Sequence, residues 1–320
     1  MNTPRHITNH HPKFTSRGVP AARKLAAAVA TLACLLGSVR AAETVEIKGG
    51  WPAGKILTIT MTHQTKTSDA PAGAKAAMMP KIDIESEYTV SIPPIHEGVS
   101  RISFRVARMA ITTDMLGDKH TFDSANPDAD ADNPMKISIM KIAGKTEVAV
   151  VNERGELAFA PDSPASPDSK GGKPSAKMVA RFCQGMFRGL PGKAVKIGDS
   201  WPFESKTGED SFFASSAHGI CSLKSIGMHR GVRCAEILID GTEEVKPTDK
   251  PFPVAGFALE MTCSVKGTQW FDLDLGMLRE METEEKTTAW VRKPEDPEDK
   301  LKTTTTSVSK FAITKIEDWK

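Results

Sequence analysis

The stretch Lys81–Ile92, K-I-D-I-E-S-E-Y-T-V-S-I, decides the fold class. Ile82, Ile84, Tyr88, Val90 and Ile92 fall on one face, and Asp83, Glu85, Glu87, Thr89 and Ser91 fall on the other. A period of two is the period of a strand. An acidic alternate face is that of a strand with one side in water, which suits an antiparallel sheet. Working outward, K-I-L-T-I-T-M-T-H at Lys55–His63 repeats the pattern, with Leu57, Ile59 and Met61 inward. Ile102, Phe104 and Val106 do the same in I-S-F-R-V. Thr146–Val151 and Leu157–Phe159 flank N-E-R-G, a hairpin turn signal.

The second half has the same character. H-G-I-C-S-L-K and V-R-C-A-E-I-L-I-D flank S-I-G-M-H-R-G, which reads as a hairpin turning near Gly227 and Met228. Phe257, Leu259, Met261, Cys263 and Val265 alternate with Ala258, Glu260, Thr262 and Ser264. F-D-L-D-L-G-M-L reads as the next turn, and the β-branched run Thr303–Ile316 closes the chain. I-K-G-G-W-P at Ile47–Pro52 resembles K-I-G-D-S-W-P at Lys196–Pro202, each opening a half, which suggests two related β units. The expected fold is therefore mainly β: curved antiparallel sheets from two related halves, with two short helices.

Those helices are expected near 134–143 and 176–188. Asn133 can cap the first, Pro134 suits its first position, and Met135, Ile139 and Ile142 share a side before Gly144. In the second, Met178, Phe182 and Met186 stand four apart, with Val179, Cys183 and Phe187 as a second row, from Ser175 to Gly189. Such a stripe most often packs on a sheet; its functional reading is a movable lid over an apolar cavity, with Met178, Phe182, Met186 and Phe187 as ligand contacts. Four prolines and a Gly pair in 161–174 mark a linker. The expected organisation is a signal peptide at 1–41, an N-terminal β unit at 42–160, the linker at 161–175, and a helix plus C-terminal β unit at 176–320.

The signal peptide is read from Arg17, Arg23 and Lys24, followed by the apolar run Leu25–Gly37 and small residues before Ala41. That run is too short for a permanent bilayer anchor, so no transmembrane segment is expected in the mature chain. Acylation at Cys34, giving a lipoprotein, is the alternative to a free periplasmic or secreted chain. Cleavage removes six basic residues and no acid from a chain with 42 Lys and Arg against 40 Asp and Glu. The apparent basicity disappears, and with it the case for nucleic acid.

Four cysteines remain, Cys183, Cys221, Cys234 and Cys263. An even number in an exported chain suggests disulfides. The hairpin reading favours Cys221–Cys234, and buried free thiols are the rival.

Little else resembles chemistry. Asp128, Asp130 and Asp132 alternate as calcium loops begin, but Ile139 stands where the bidentate acid of an EF-hand would be. An acidic loop feeding the helix start explains them as well. His63, His96, His120, His218 and His229 show no ligand spacing, and no C-x-x-C or phosphate loop is present. Neither a metal nor a cofactor is expected. Ser200, in G-D-S, has no nucleophile elbow around it.

Phe122–Ser124, then L-P-G-K-A-V-K-I-G-D-S-W at Leu190–Trp201, then F-D-L-D-L-G at Phe271–Gly276 occur in that order. This resembles a family of exported bacterial β-rich proteins of unknown function, often lipoproteins. Asp-Ser, Gly-Asp-x-Trp and Phe-Asp-x-x-x-Gly elements recur in that family. The resemblance implies an envelope protein and transfers no catalytic residues. The expectation is a non-enzymatic protein that binds an apolar ligand or a partner segment. A structural or assembly protein of the envelope is the alternative. The third possibility is a hydrolase whose site gathers residues distant in sequence.

Overall fold

The computed structural model describes residues 44–69, 81–96, 99–115, 118–129, 136–152, 157–158, 182, 185–187, 189–207, 213–248, 258–293 and 296–320. Thr44–Lys320 forms one unit. The linker stretch 161–175 lies outside the described residues.

Among the described residues, twelve strands make one antiparallel sheet. The N-terminal half contributes β2 (Lys55–Asp69), β3 (Lys81–Ile92), β4 (Val99–Met115), β5 (Asp118–Asp123), β6 (Thr146–Asn152) and β7 (Leu157–Ala158). The C-terminal half contributes β9 (Ser200–Thr207), β10 (Phe213–His229), β11 (Val232–Pro247), β12 (Ala258–Asp272), β13 (Met277–Lys293) and β14 (Asp296–Asp318). Their order is β7-β6-β4-β3-β2-β14-β13-β12-β11-β10-β9, with β5 beside the far end of β4. Apart from one chain-long closure, β14 on β2, neighbours in space are close in sequence. The two halves are therefore one sheet. A separate ribbon pairs β1 (Thr44–Glu46) with β8 (Ala194–Lys196), joining the segments just before the two similar Trp-Pro motifs.

Alternation explains which face is which. Leu57, Ile59, Tyr88, Val90, Ile92, Ile102, Phe104 and Val106 are all buried on the inner face, as their period of two requires. The opposite face carries cross-strand ion pairs such as Lys310–Glu282 at 3.1 Å and Lys266–Asp240 at 3.2 Å. Such exposed pairs contribute little energy, but they hold that face in water. The inner face is covered in two places. The described residues of the 182–190 segment, through Phe182, Met186 and Phe187, lie over β2–β4 and β13–β14, and the β1–β8 ribbon lies over the C-terminal strands through Val45, Ile47 and Val195.

Glycines permit close approach inside the C-terminal half. Gly219 and Gly241 face each other across β10 and β11, and the Phe203 ring of the neighbouring β9 lies against both. A Cβ on Gly241 would sit 2.8 Å from Phe203 Cζ, so the aromatic ring fills the place of the missing side chains.

Three expectations are corrected or narrowed here. The β10–β11 turn is Arg230-Gly231, not Gly227-Met228: His229 pairs with Val232, and both turn residues have positive φ, 48° and 85°. That is the backbone a two-residue turn between right-twisted strands needs. Register then puts Cys221 opposite Ile239 and Cys234 opposite Gly227, so the proposed Cys221–Cys234 disulfide does not form. Both side chains are buried. Burial and the nearby Asp272 carboxylate push the Cys234 thiol up to about 11, so it stays protonated and unreactive. The first helix, α1, is short, Lys136–Met140, with Gly144 at φ 74° beyond it. Ile139 packs on Ile111 and Phe122, while Ile137 stays exposed. Met135 lies outside the described residues.

Candidate functional site

The three family-like elements resolve into turn locks. Asp123 accepts from Arg108 Nε at 3.0 Å and Nη2 at 2.6 Å, and from the Ala125 amide at 2.9 Å. Ser124 Oγ accepts the Met109 amide at 2.9 Å. The Arg108 bond holds the Asp123 carboxyl below its usual range. Asp199 accepts the Lys196 amide at 3.0 Å, and Gly198 supplies φ 93°. Asp272, buried, accepts the Asp274 and Leu275 amides at 3.1 and 2.9 Å. Each carboxylate closes its own turn by the local bonding that Asp favours.

Trp201 does more than end a turn. Its indole is buried, and Nε1 donates to the Gly189 carbonyl at 2.7 Å. This ties the end of the 182–190 segment to β9. Along that segment, Phe182 stacks on Tyr88 with centroids 5.2 Å apart and approaches Phe104 and Phe311. Phe187 meets Trp51 edge-on at 5.4 Å. Met186 is buried in the same cluster. Phe182, Gly185 and Met186 are helical. Of the four apolar contacts expected from the sequence, Phe182, Met186 and Phe187 are therefore gathered on the inner face; Met178 lies outside the described residues.

Between this segment and the sheet lie two connected hollows. One, about 310 Å³, is lined by Met61, Tyr88, Phe182, Met186, Leu278 and Phe311, together with Gly185 and Met281. Its only phenol, Tyr88, is pushed up in pKa by burial, with a Ser86 bond partly offsetting this. The other, about 210 Å³, also includes Gly185 and Met281 and runs on to Gln269, Thr283, Cys263, Glu243 and Glu285. Gly185 and Met281 line both, so the two hollows adjoin as a groove; the first is apolar, and the second sets Gln269, Thr283, Glu243 and Glu285 into a wall that also contains Phe203, Ala217, Ile239 and Val265.

Register produces that contrast. One cross-strand row on the inner face reads Met61–Phe311–Met281–Gln269–Ile237–Leu223. The next row toward the polar end reads His63–Ser309–Thr283–Gly267–Ile239–Cys221. Beyond it come Glu285 and Ser307, then Glu243, Cys263 and Thr287. Gln269 is 5 % exposed, and its Nε2 reaches only the Met281 sulfur at 3.6 Å, a weak acceptor. Glu285 accepts from Thr283 and Ser309 at 3.4 Å each, long for hydrogen bonds. Glu243 takes the Ser215 hydroxyl at 2.6 Å. The Cys263 thiol is raised by burial first and by both glutamates after it.

One Ser-His-carboxylate contact lies in this polar zone. Ser309 Oγ is 2.9 Å from His63 Nδ1, as a directly opposed cross-strand pair. The third member is misplaced for a hydrolase: Glu285 reaches Ser309 itself, whereas a triad acid orients the histidine from its other nitrogen. Ser309 also sits in β14 between two paired strands, so nearby backbone N–H groups serve the ladder and are not free to form an oxyanion hole. Ser200 is exposed at the start of β9. Asp128 is exposed and 4.0 Å from Lys136; Asp130 and Asp132 lie outside the described residues. No group of three or more metal-ligating side chains occurs among the described residues. No described helix is long and apolar enough to cross a membrane.

No family model matches this chain, and no curated protein does. Among solved structures, the chain is similar to lipovitellin at 10 % identity and a TM-score of 0.45, over 83 % of this chain. It spans about a quarter of lipovitellin's length, 26 %. It is also similar to a protein of Bacteroides fragilis assigned as exported, with a YmcC-like fold: 8 % identity, TM-score 0.25, covering 86 % of this chain and all of that one. A third is an outer-membrane channel of Pseudomonas putida F1, at 9 % identity and a TM-score of 0.20, covering 83 % of this chain and 97 % of that one. At these scores the likenesses carry no argument about function.

Proposed function

We propose that this is an exported, non-catalytic binding protein that holds an apolar ligand between the inner face of its curved sheet and the 182–190 segment. The observation that carries this reading is the groove itself. Its apolar end is lined by Met, Phe, Leu and Tyr side chains, and a few polar groups converge at the other end. That combination is typical of small-molecule sites. Methionines suit an adaptable wall, since the unbranched thioether adjusts to irregular shapes. Export rests on the leader-like order from Arg17 to Ala41.

The alternative, partner assembly through a sheet edge, finds less support. The C-terminal edge strand β9 carries Pro202, which has no N–H to offer, and charged Glu204 and Lys206. Such residues blunt an edge against added strands. Native mass spectrometry of the protein extracted from its own source, with uptake of a hydrophobic fluorescent dye, tests the ligand reading. A bound small molecule displaced by the dye supports it. An empty protein that takes up no dye sinks it.

A further inference from the structure

We infer that the groove selects an amphiphile by charge: a single-chain molecule whose head is a cation, such as an amine, with its tail toward Phe182 and Phe311. This rests on the binding reading above and specifies its ligand.

Three observations point to the head. First, among the described residues the second hollow's lining contains Glu243 and Glu285 and no Lys, Arg or His, while His63 on the same face is bonded to Ser309. Second, these two acids lie on adjacent inner-face rows of β11 and β13, flanking Cys263. Both line the same hollow, with Cys263 and Val265 of β12 between them. Third, one acceptor there is poorly supplied with donors: among the described residues Glu285 accepts only two hydroxyls, both at 3.4 Å, whereas Glu243 already takes the Ser215 hydroxyl at 2.6 Å. A half-buried carboxylate short of donors is costly, and a positively charged donor is the partner that offsets the cost most. An anionic head would place a third negative charge beside two others in a site partly withdrawn from water, which is strongly unfavourable.

The tail direction follows from continuity. Gly185 and Met281 are the only residues common to both hollows, so a molecule with its head near Glu285 extends past them into the Met61–Phe311 end. The Glu243 and Glu285 carboxylates can also accept from a neutral alcohol head, but with less gain than from a cation. The expected order of affinity is amine, then alcohol, then carboxylate.

The test uses the mature chain at about 0.15 M salt, where outer-surface charges are screened beyond about 8 Å. Dodecylamine, dodecanol and dodecanoate are titrated below their aggregation limits, read by native mass spectrometry and by displacement of a groove-bound dye. The amine is expected to bind at least about tenfold tighter than the carboxylate, a difference of about 1.4 kcal/mol. In E243Q/E285Q, which keeps size and hydrogen-bonding capacity, that preference is expected to collapse while dodecanol binding persists. Equal binding of all three by the native chain overturns the charge inference and leaves the groove standing. So does an amine preference unchanged in the double variant, because the preference then comes from elsewhere on the surface. Failure of all three to bind overturns both readings.

Discussion

The Trp201 indole donates to the Gly189 carbonyl at 2.7 Å, and this bond joins the strand that begins the C-terminal sheet to the segment that roofs the groove. The indole is buried and Gly189 half-buried, so water replaces the bond only in part if it is lost. Trp201→Phe keeps the aromatic bulk and removes the donor. It is expected to cost about 1–3 kcal/mol, the price of an unsatisfied buried carbonyl. In urea the midpoint should fall with an unchanged slope, and amide exchange at 185–190 should speed up more than in β12 or β13.

The pairing of Gly219 with Gly241 under Phe203 makes a second prediction. A Cβ at Gly219 would collide with the Asp240 carbonyl oxygen, which is backbone and cannot swing aside. Gly219→Ala should therefore lower stability by about 1–3 kcal/mol through overpacking, although alanine is the smaller change on paper. Gly227→Ala in the same strand meets nothing within 4 Å and should be close to neutral. Equal effects of the two substitutions in thermal melts would contradict this account of the glycines.

The Arg108–Asp123 lock makes stability depend on pH. The folded Asp123 carboxyl lies below its ordinary value because it accepts from Arg108. A group depressed in the folded state contributes stability that is fully present above the unfolded value, about 3.9, and is lost as pH falls through the folded value. Asp123→Asn should flatten that part of the acid limb in urea midpoints measured from neutral pH downward. An identical acid profile in the variant would remove the lock from the account.

Peptide mapping under non-reducing conditions should find no Cys221–Cys234 link, and of Cys221, Cys234 and Cys263 native alkylation should reach Cys263 first. Cys221 and Cys234 are buried, whereas Cys263 is half-buried at the groove's polar end. A Cys221–Cys234 crosslinked peptide would contradict the register of β10 and β11.

Much of the architecture was legible because strand burial leaves a period of two in the residues themselves. Lys81–Ile92 announced a one-sided strand, and Tyr88, Val90 and Ile92 are buried as that pattern demands. The stripe containing Phe182 and Met186 announced an element lying on apolar surface. The hairpin at β10–β11 was misread because a glycine was taken for a turn. Gly227 is a strand residue opposite Cys234, while Arg230 and Gly231 hold the positive φ angles. That error carried the disulfide with it. The polar end of the groove left no local signal at all. His63 and Ser309 meet 246 residues apart, and Glu243, Cys263 and Glu285 share a face only once the register of three strands is known. Periodicity reports which way a side chain points and is silent on which distant side chain it meets.

The central claim, that the groove holds a ligand, is tested most directly at Gly185. This residue lines both hollows, has no positive φ, and a Cβ there meets nothing within 4 Å. Gly185→Leu should fill the junction without strain and leave the melting temperature unchanged or higher, since leucine is the better helix former by about 0.5–1 kcal/mol. Dodecylamine titrations of the native chain and of Gly185→Leu, side by side, make the measurement. The account predicts at least about a tenfold loss of affinity in a variant that melts no lower than the native protein. Undiminished binding in a stable Gly185→Leu protein would contradict it.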